Sequence, residues 1–176
     1  MPKKPFSDNL IFFDTEFSSL DPYRGEILSI GMVKMNGEEL YLEIEHKGKV
    51  SAWTKENVLP LLNKPKVTRA EAGKRIKKFV GKGSPYLISY IIPFDTLYLY
   101  KLFGVNDTVS NRELPFHWII LDFASILFAL GQDPEGFRMS NREKFNKKWK
   151  LNLKEFHHHH ALDDAKILRA AYKTLL

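Results

Sequence analysis

The chain has 176 residues, of which 44% are hydrophobic and 13% aromatic, so we expect one folded domain over residues 1–176 rather than a disordered chain. It contains no cysteine, which excludes disulfides and thiolate metal sites, and it shows no apolar run of the length expected for a signal peptide or a membrane span. The formal charge of +6 favours a polyanionic partner without specifying one, and we expect an intracellular, cytoplasmic protein with no membrane partner.

The first part of the chain is predicted to form an antiparallel meander of three strands. An apolar run at residues 10–13 leads the first strand into Asp14-Thr15-Glu16. A second strand is predicted over 26–35, and Asn36-Gly37 after it is a strong hairpin signal. Residues 39–45 alternate between apolar and polar, which is typical of a third strand with one solvated face.

Strands alternate with helices in the rest of the chain. A short helix is predicted over 53–62, and Thr68 and Glu71 open another, ending near Val80, with the spacing of a capping box. The apolar run 86–92 is typical of a central strand covered on both faces, and Pro93 then suits the first turn of a helix over 94–103. Further predictions are a fifth strand at 117–123, a short helix to about residue 130, a mostly irregular segment at 131–154 and a helix at 161–176. This order indicates a mixed α/β layered domain.

Asp14 and Glu16 are the first candidates for chemistry. Side chains two apart in a strand point to the same face, so these two carboxylates are expected to lie side by side. They would repel each other and would be costly to bury, and a divalent cation removes both penalties. The alternative is an acidic turn at the frayed end of a strand.

Two further acids occupy helices. Asp95 lies in the first turn of its predicted helix, where it either stabilises the helix N-terminus or serves as a third metal-facing carboxylate. Asp164 is three residues from Ala161 and four from Leu168, so it falls on or beside the buried face of the last helix. Asp163 is turned about 100° away from it. A carboxylate on an apolar face needs a partner, which singles out Asp164.

Four histidines, residues 157–160, precede the last helix. An affinity tag belongs at a terminus, and sixteen residues follow this run. A surface metal-binding tract without a catalytic role and a simple helix entry both stay open, and at least three of the four are expected to be incidental.

A lysine-rich segment lies just before the histidines. Its basic residues alternate with two aromatic ones: Arg142, Lys144, Lys147, Lys148, Lys150 and Lys154 with Phe145 and Trp149. Such a segment could follow a phosphate backbone while its aromatic rings stack on bases, or it could be a solvated loop.

Together these features resemble the DEDDh 3′–5′ exonucleases, the superfamily of RNase T, oligoribonuclease and the DNA polymerase III proofreading subunit. The first motif is matched by Asp14-Thr15-Glu16, followed by 20–22 and 27–31 at the family's spacing, and the second by residues 89–95, which end at Asp95. The third motif, His-x-Ala-x-x-Asp-Ala, occurs at 159–165 and selects His159 and Asp164. One departure is Ile91, where many members carry asparagine. The short form is most similar to small bacterial exoribonucleases.

The resemblance implies an RNase H-like α/β fold, with a five-stranded mixed sheet flanked by helices. It also implies two divalent cations, Mg²⁺ or Mn²⁺, about 3.5–4 Å apart. The residues that would hold them are Asp14, Glu16, Asp95 and Asp164. His159 would accept the proton of the attacking water, and nucleoside 5′-monophosphates would be released.

By the same resemblance, Leu20 would wedge beside the terminal base and Phe17 would help to hold the 3′ nucleotide, although ordinary core packing also explains both. The expected substrate is the 3′ end of single-stranded RNA, and RNA rather than DNA follows from the resemblance alone. The alternatives are a DNA 3′–5′ exonuclease or proofreading factor, an inactive nucleic-acid-binding module, and a metal-binding protein that uses its histidine run. The resemblance also leaves open that the protein forms a homodimer.

Overall fold

A six-stranded mixed sheet is the centre of the molecule, which a computed structural model describes for residues 5–106, 110, 113–137, 142–152, 154 and 156–176. The strands, in chain order, are β1 (Leu10–Phe17), β2 (Ile27–Lys34), β3 (Glu39–Ile44), β4 (Lys66–Val67), β5 (Tyr86–Ser89) and β6 (Leu121–Asp122). Their order across the sheet is β4-β3-β2-β1-β5-β6. The β1–β2 and β2–β3 pairs are antiparallel, and β1–β5, β5–β6 and β3–β4 are parallel.

Helices cover both faces of this sheet. They are α1 (Ala52–Asn57), α2 (Arg69–Val80), α3 (Ile92–Phe103), α4 (Phe123–Ala129), α5 (Arg142–Trp149) and α6 (Ala161–Lys173), with 3-10 turns at Leu59–Leu61 and Pro134–Phe137. Successive side chains of β1 point to opposite faces. Phe13 therefore enters the core shared with α2 and α3, whereas Phe12 enters the core shared with α4, α5 and α6. Among the described residues, no helix is long and apolar enough to cross a membrane.

The mixed α/β class and the opening meander are confirmed, but the predicted strand count of five is wrong. The missed strand is β4, which has only two residues and pairs in parallel with the end of β3. Two residues are too few to show any alternation of apolar and polar side chains. The predicted strand over 117–123 is also shorter, because only Leu121–Asp122 pairs with β5.

The segment 131–154 contains more helical structure than predicted. It contains a 3-10 turn and the helix α5, while residues 138–141 and 153 lie outside the described part of the chain. Phe145 and Trp149 are 2% and 1% exposed, and both rings pack on Phe137. The prediction that these two rings stack on bases is therefore wrong, because they belong to the core under α5.

Candidate active site

Asp14 and Glu16 stand near the C-terminal end of β1 and point to the face that α6 covers. Asp164 lies in the first turn of α6 and faces the same two carboxylates. One carboxylate oxygen from each of these three residues lies within 4.8 Å of the others. The structure therefore brings together acids from the two ends of the sequence, and each offers an oxygen to the same small volume.

Asp95 lies beside this cluster but is held differently. Its Oδ1 accepts hydrogen bonds from the backbone N–H and the hydroxyl of Thr15, at 3.0 and 2.6 Å, and its Oδ2 accepts one from the Ser89 hydroxyl. Burial raises the pKa of Asp95 to about 6, although these hydrogen bonds oppose the rise. The structure thus places Asp95 in the wall of the cluster, where both of its oxygens already bind protein donors.

Burial is also the main reason that the pKa values of Asp14 and Glu16 are raised well above their ordinary range. The second reason is mutual repulsion, since the charges of Asp95 and Asp164 act on both groups. Buried like charges of this kind are neutralised by protons or by a cation. Because the donors are all carboxylate oxygens, the cluster suits a hard divalent cation.

The turn before α6 is fastened by the two aspartates of that helix. The Asp164 Oδ2 accepts a hydrogen bond from the backbone N–H of His159 at 3.0 Å, and the Asp163 Oδ2 accepts one from that of His157 at 2.9 Å. His159 adopts a left-handed conformation with a φ of 67°, which is uncommon for a residue with a side chain. Only Asp164 faces the acidic cluster, whereas Asp163 faces the outer histidines.

His159 presents its ring to the cleft. The ring is half-buried, meets Trp53 edge-on at 4.7 Å and stacks on His158 at 3.7 Å between centroids. Burial and the neighbouring His158 lower the pKa of His159 below its ordinary value of 6.5, while Asp164 opposes this shift. The imidazole is therefore neutral at neutral pH and can accept a proton.

The other three histidines differ in their surroundings. His157 is 74% exposed and lies 3.3 Å from Asp163, and His160 packs on Tyr41 with ring centroids 4.5 Å apart. His158 also lines the cleft, with its Nδ1 3.5 Å from the Asp164 Oδ1. Two of the four histidines thus reach the site, whereas the sequence singled out one.

The acids line a cleft of about 1000 Å³, most of whose lining is apolar. Leu20 is 68% exposed at its rim, so core packing does not explain this residue. Phe17 lines the cleft as well, but it also stacks on Tyr98 at 4.5 Å and packs on the sheet core, so packing does explain part of its role.

Trp53, which the sequence did not single out, forms another part of the wall. Ser51 caps α1 through the N–H of Thr54, and the N–H of Ser51 itself donates to the carbonyl of Ser18 just after β1. These bonds fix α1 beside the acids. A serine before a helix is a signal that could have placed the start of α1, but nothing in the sequence indicates the direction of the Trp53 ring.

Ile91 occupies an unusual backbone position at the edge of the cleft. Its φ and ψ are 61° and 62°, in the left-handed region, and its N–H donates to the Asp122 Oδ1 at 3.1 Å. A β-branched residue is strongly disfavoured there, whereas asparagine is tolerated. Asparagine, which many DEDDh exonucleases carry at this position, would therefore fit the backbone better than Ile91 does.

The model of a family described as exonuclease, of the RNase T type, matches residues 11–172. No curated protein sequence matches the chain. Among solved structures, E. coli exonuclease I in complex with a dT13 oligonucleotide superposes with a TM-score of 0.66 at 14% identity, over 94% of this chain and 40% of that one.

A zinc-bound complex of E. coli exonuclease I with single-stranded DNA gives a TM-score of 0.64 at 14% identity, over 93% of this chain and 39% of the other. The chain thus spans about two fifths of the length of these structures. At such low identity the likeness shows the fold, and it confirms the RNase H-like α/β class with one strand more than predicted.

Proposed function

The chain belongs to the RNase T-type exonuclease family, and we propose that it is a metal-dependent 3′–5′ exonuclease that releases nucleoside 5′-monophosphates from single-stranded nucleic acid. The observation that carries this proposal is the convergence of Asp14, Glu16 and Asp164 within 4.8 Å beside an open cleft. Three carboxylates that are buried or partly buried, with oxygens this close together, would be a costly arrangement for stability alone.

The donor set fits hard divalent cations, and we propose two of them, Mg²⁺ or Mn²⁺. Asp14, Glu16 and Asp164 would hold them, with Asp95 supporting the cluster from its wall. When bound, such cations supply a lowered pKa for the attacking water and stabilise the charge on the leaving 3′ oxygen. The raised pKa values of the free acids agree with this assignment, because the cluster lacks positive charge of its own.

His159 is the proposed general base. Its ring lines the same cleft, its backbone is tied to Asp164, and its pKa is lowered so that the neutral form predominates at neutral pH. It would take the proton of the attacking water on the ring nitrogen that faces the cleft. Trp53 would act as a positioning residue, since its edge limits the rotation of the imidazole.

The terminal nucleotide would lie against the apolar lining of the cleft. Leu20 is exposed and free to wedge beside a base, while the Phe17 ring is held in place by Tyr98 and Phe94. A preformed aromatic surface lowers the entropic cost of binding. We therefore propose both residues as contacts of the 3′ nucleotide.

RNA is the proposed substrate because the chain resembles small bacterial exoribonucleases. Single-stranded DNA is the second candidate, because solved structural neighbours are complexes with DNA oligonucleotides. The exposed lysines of α5, Lys144, Lys147 and Lys148, remain candidates for phosphate contacts now that the aromatic residues between them belong to the core. A homodimer stays a prediction.

The test is to incubate the protein with RNA and DNA oligomers labelled at the 3′ or the 5′ end, in Mn²⁺ or EDTA. We expect release of the 3′ label as a mononucleotide and stepwise shortening of the 5′-labelled strand, both abolished by EDTA and by Asp14→Ala. The ratio of the rates on RNA and DNA assigns the substrate. Activity that survives Asp14→Ala would refute the proposal, and binding without shortening would indicate an inactive module.

A further inference from the structure

A second group of possible metal ligands adjoins the acidic cluster. His158, His159 and Asp164 each place one ligand atom within 4.8 Å of the others. The His158 Nδ1 is 3.5 Å from the Asp164 Oδ1, and the imidazole rings of His158 and His159 stack with centroids 3.7 Å apart. This group shares Asp164 with the carboxylate cluster but replaces Asp14 and Glu16 with two nitrogen donors.

The two groups suit different ions. Three carboxylates favour Mg²⁺ or Mn²⁺, whereas two imidazoles and one carboxylate are a donor set that Zn²⁺ accepts in its four-coordinate sites, with water as the fourth ligand. Imidazole sites also bind Zn²⁺ more strongly than Mn²⁺. We propose that His158, His159 and Asp164 form a separate Zn²⁺ site at the mouth of the cleft, exclusive of the carboxylate site because Asp164 serves both.

Access and order both support this site. The His158 side chain is 42% exposed, so an ion can reach it from solvent without opening the core. The backbone of His159 is already tied to the Asp164 carboxylate, which holds two of the three ligands together before an ion arrives. His157 and His160 face Asp163, on the other side of the turn.

The site has a regulatory consequence, which rests on the proposed function. Zinc at this position would engage both the general base His159 and the metal-binding Asp164. Zn²⁺ should therefore inhibit turnover supported by Mg²⁺, and this inhibition should depend on His158, which is not one of the proposed Mg²⁺ ligands.

Binding is tested without substrate, in the Asp14→Asn protein, whose carboxylate cluster is weakened. Zn²⁺ affinity is measured by calorimetry against a competing chelator, and Co²⁺ absorption reports the coordination. Adding His158→Ala should weaken zinc binding about 10-fold or more, because even an outer-shell partner of a metal ligand is commonly worth that much. Adding His157→Ala, the matched control, should leave the affinity unchanged. Equal zinc affinity with and without His158 would overturn the site.

Inhibition is tested with the otherwise unaltered chain in Mg²⁺, with each variant compared with its own activity in the absence of zinc. His158→Ala should require about 10-fold more Zn²⁺ for half inhibition than the parent or His157→Ala, in line with the loss of affinity. Zinc binding without inhibition would overturn the regulatory consequence. A protein that binds zinc through His158 but degrades nothing in Mg²⁺ would refute the proposed function and leave the site standing.

Discussion

Gly31 of β2 lies directly under Leu162 of α6, so close that a Cβ on Gly31 would stand 2.3 Å from the Cα and backbone nitrogen of Leu162. Helix α6 can approach the sheet this closely because residue 31 has no side chain. Gly31 is also the cross-strand partner of Asp14. The same contact that seats the helix therefore sets the height at which Asp164 meets the acids of β1.

Gly31→Ala is expected to destabilise the protein by about 2 kcal/mol or more, since overpacking a rigid contact typically costs 1–3 kcal/mol. It should also lower activity by lifting Asp164. Urea unfolding and nuclease rates measure the two effects. The control is Gly73→Ala in α2, where the nearest atom to the new Cβ is 4.0 Å away and helix propensity predicts a gain of up to about 1 kcal/mol. Unchanged stability in Gly31→Ala would contradict the close contact.

Asp164→Asn is expected to reduce the rate about 100-fold or more, because the charge stabilisation that a bound cation supplies is worth several kcal/mol. Its neighbour Asp163 offers a matched control, being equally shielded at 15% exposure against 13% but facing the outer histidines. Asp163→Asn keeps an oxygen for the N–H of His157 and should retain activity. Single-turnover rates distinguish the two variants, and equal losses would show that the wrong aspartate was assigned.

His159→Ala should slow turnover by about 10²–10⁴-fold, the usual contribution of a general base. His157→Ala, on the exposed side of the turn, should not. Because the pKa of His159 is lowered, the base is protonated and inactive only below pH 6.5, and activity should rise with pH through an apparent pKa under that value. The test is the pH profile of kcat/KM at saturating Mg²⁺. An acid limb that persists in His159→Ala would belong to another group.

Metal-free protein should lose stability as the pH rises. The pKa of Asp95 goes from its ordinary 3.8 to about 6 on folding, and those of Asp14 and Glu16 are raised too. The native state therefore binds more protons at these groups than the unfolded state between these values, so the stability that they contribute is fully present below pH 3.8 and is lost as the pH rises through 6 and above. Thermal unfolding in EDTA should show this fall, and Mg²⁺ should raise Tm more at pH 7.5 than at pH 5.5.

Asp14→Asn provides the control for that experiment, because it removes one of the repelling charges without changing the volume of the side chain. Its stability in EDTA should depend less on pH, and Mg²⁺ should raise its Tm less. An Asp14→Asn protein with the same pH dependence and the same response to Mg²⁺ as the parent would mean that the cluster is not the origin of the effect.

Ile91→Asn should stabilise the protein by about 1 kcal/mol, since a non-glycine residue held in the left-handed region costs about 1–3 kcal/mol and asparagine relieves part of it. Ile91 is 41% exposed, so little buried apolar surface is lost. Ile92→Asn is the matched comparison, because Ile92 is the first helical residue of α3 and gains nothing from left-handed tolerance. Denaturant midpoints of the two variants decide the matter, and a lower midpoint for Ile91→Asn would contradict strain at this residue.

The sequence predicted those parts of the fold in which several residues repeat a pattern. The meander and the apolar face of α6 were both of this kind, and the face of α6 also separated Asp164 from Asp163. The spacing of Thr68 and Glu71 correctly placed the start of α2, although the Glu71 carboxylate pairs with Arg75. Helix α5 was missed because Phe145 and Trp149 are the only apolar residues in its eight, too few to show a period.

The site could be predicted only as far as its backbone. The motifs identified the four acids as candidates for one site, but the direction of each side chain depends on contacts between residues that are distant in the sequence. Asp95 was expected either to stabilise the start of its helix or to face a metal, and no pattern in the sequence indicates that Thr15 and Ser89 donate to its two oxygens. His158 also lines the cleft, next to His159 in its left-handed conformation, and the spacing of the histidines does not indicate that conformation.

The ribosome synthesises the acids of β1 before helix α6, which carries both Asp164 and the apolar face that covers Phe12. A ribosome that stalls before α6, or a protease that cuts in the turn at residues 157–160, would leave a product without Asp164. The apolar face of the sheet that α6 covers would also be exposed to solvent. Such a fragment would lack the complete acidic cluster and would be exposed to degradation. Under the proposed function, the order in which the chain is built therefore keeps unfinished copies from cleaving nucleic acid.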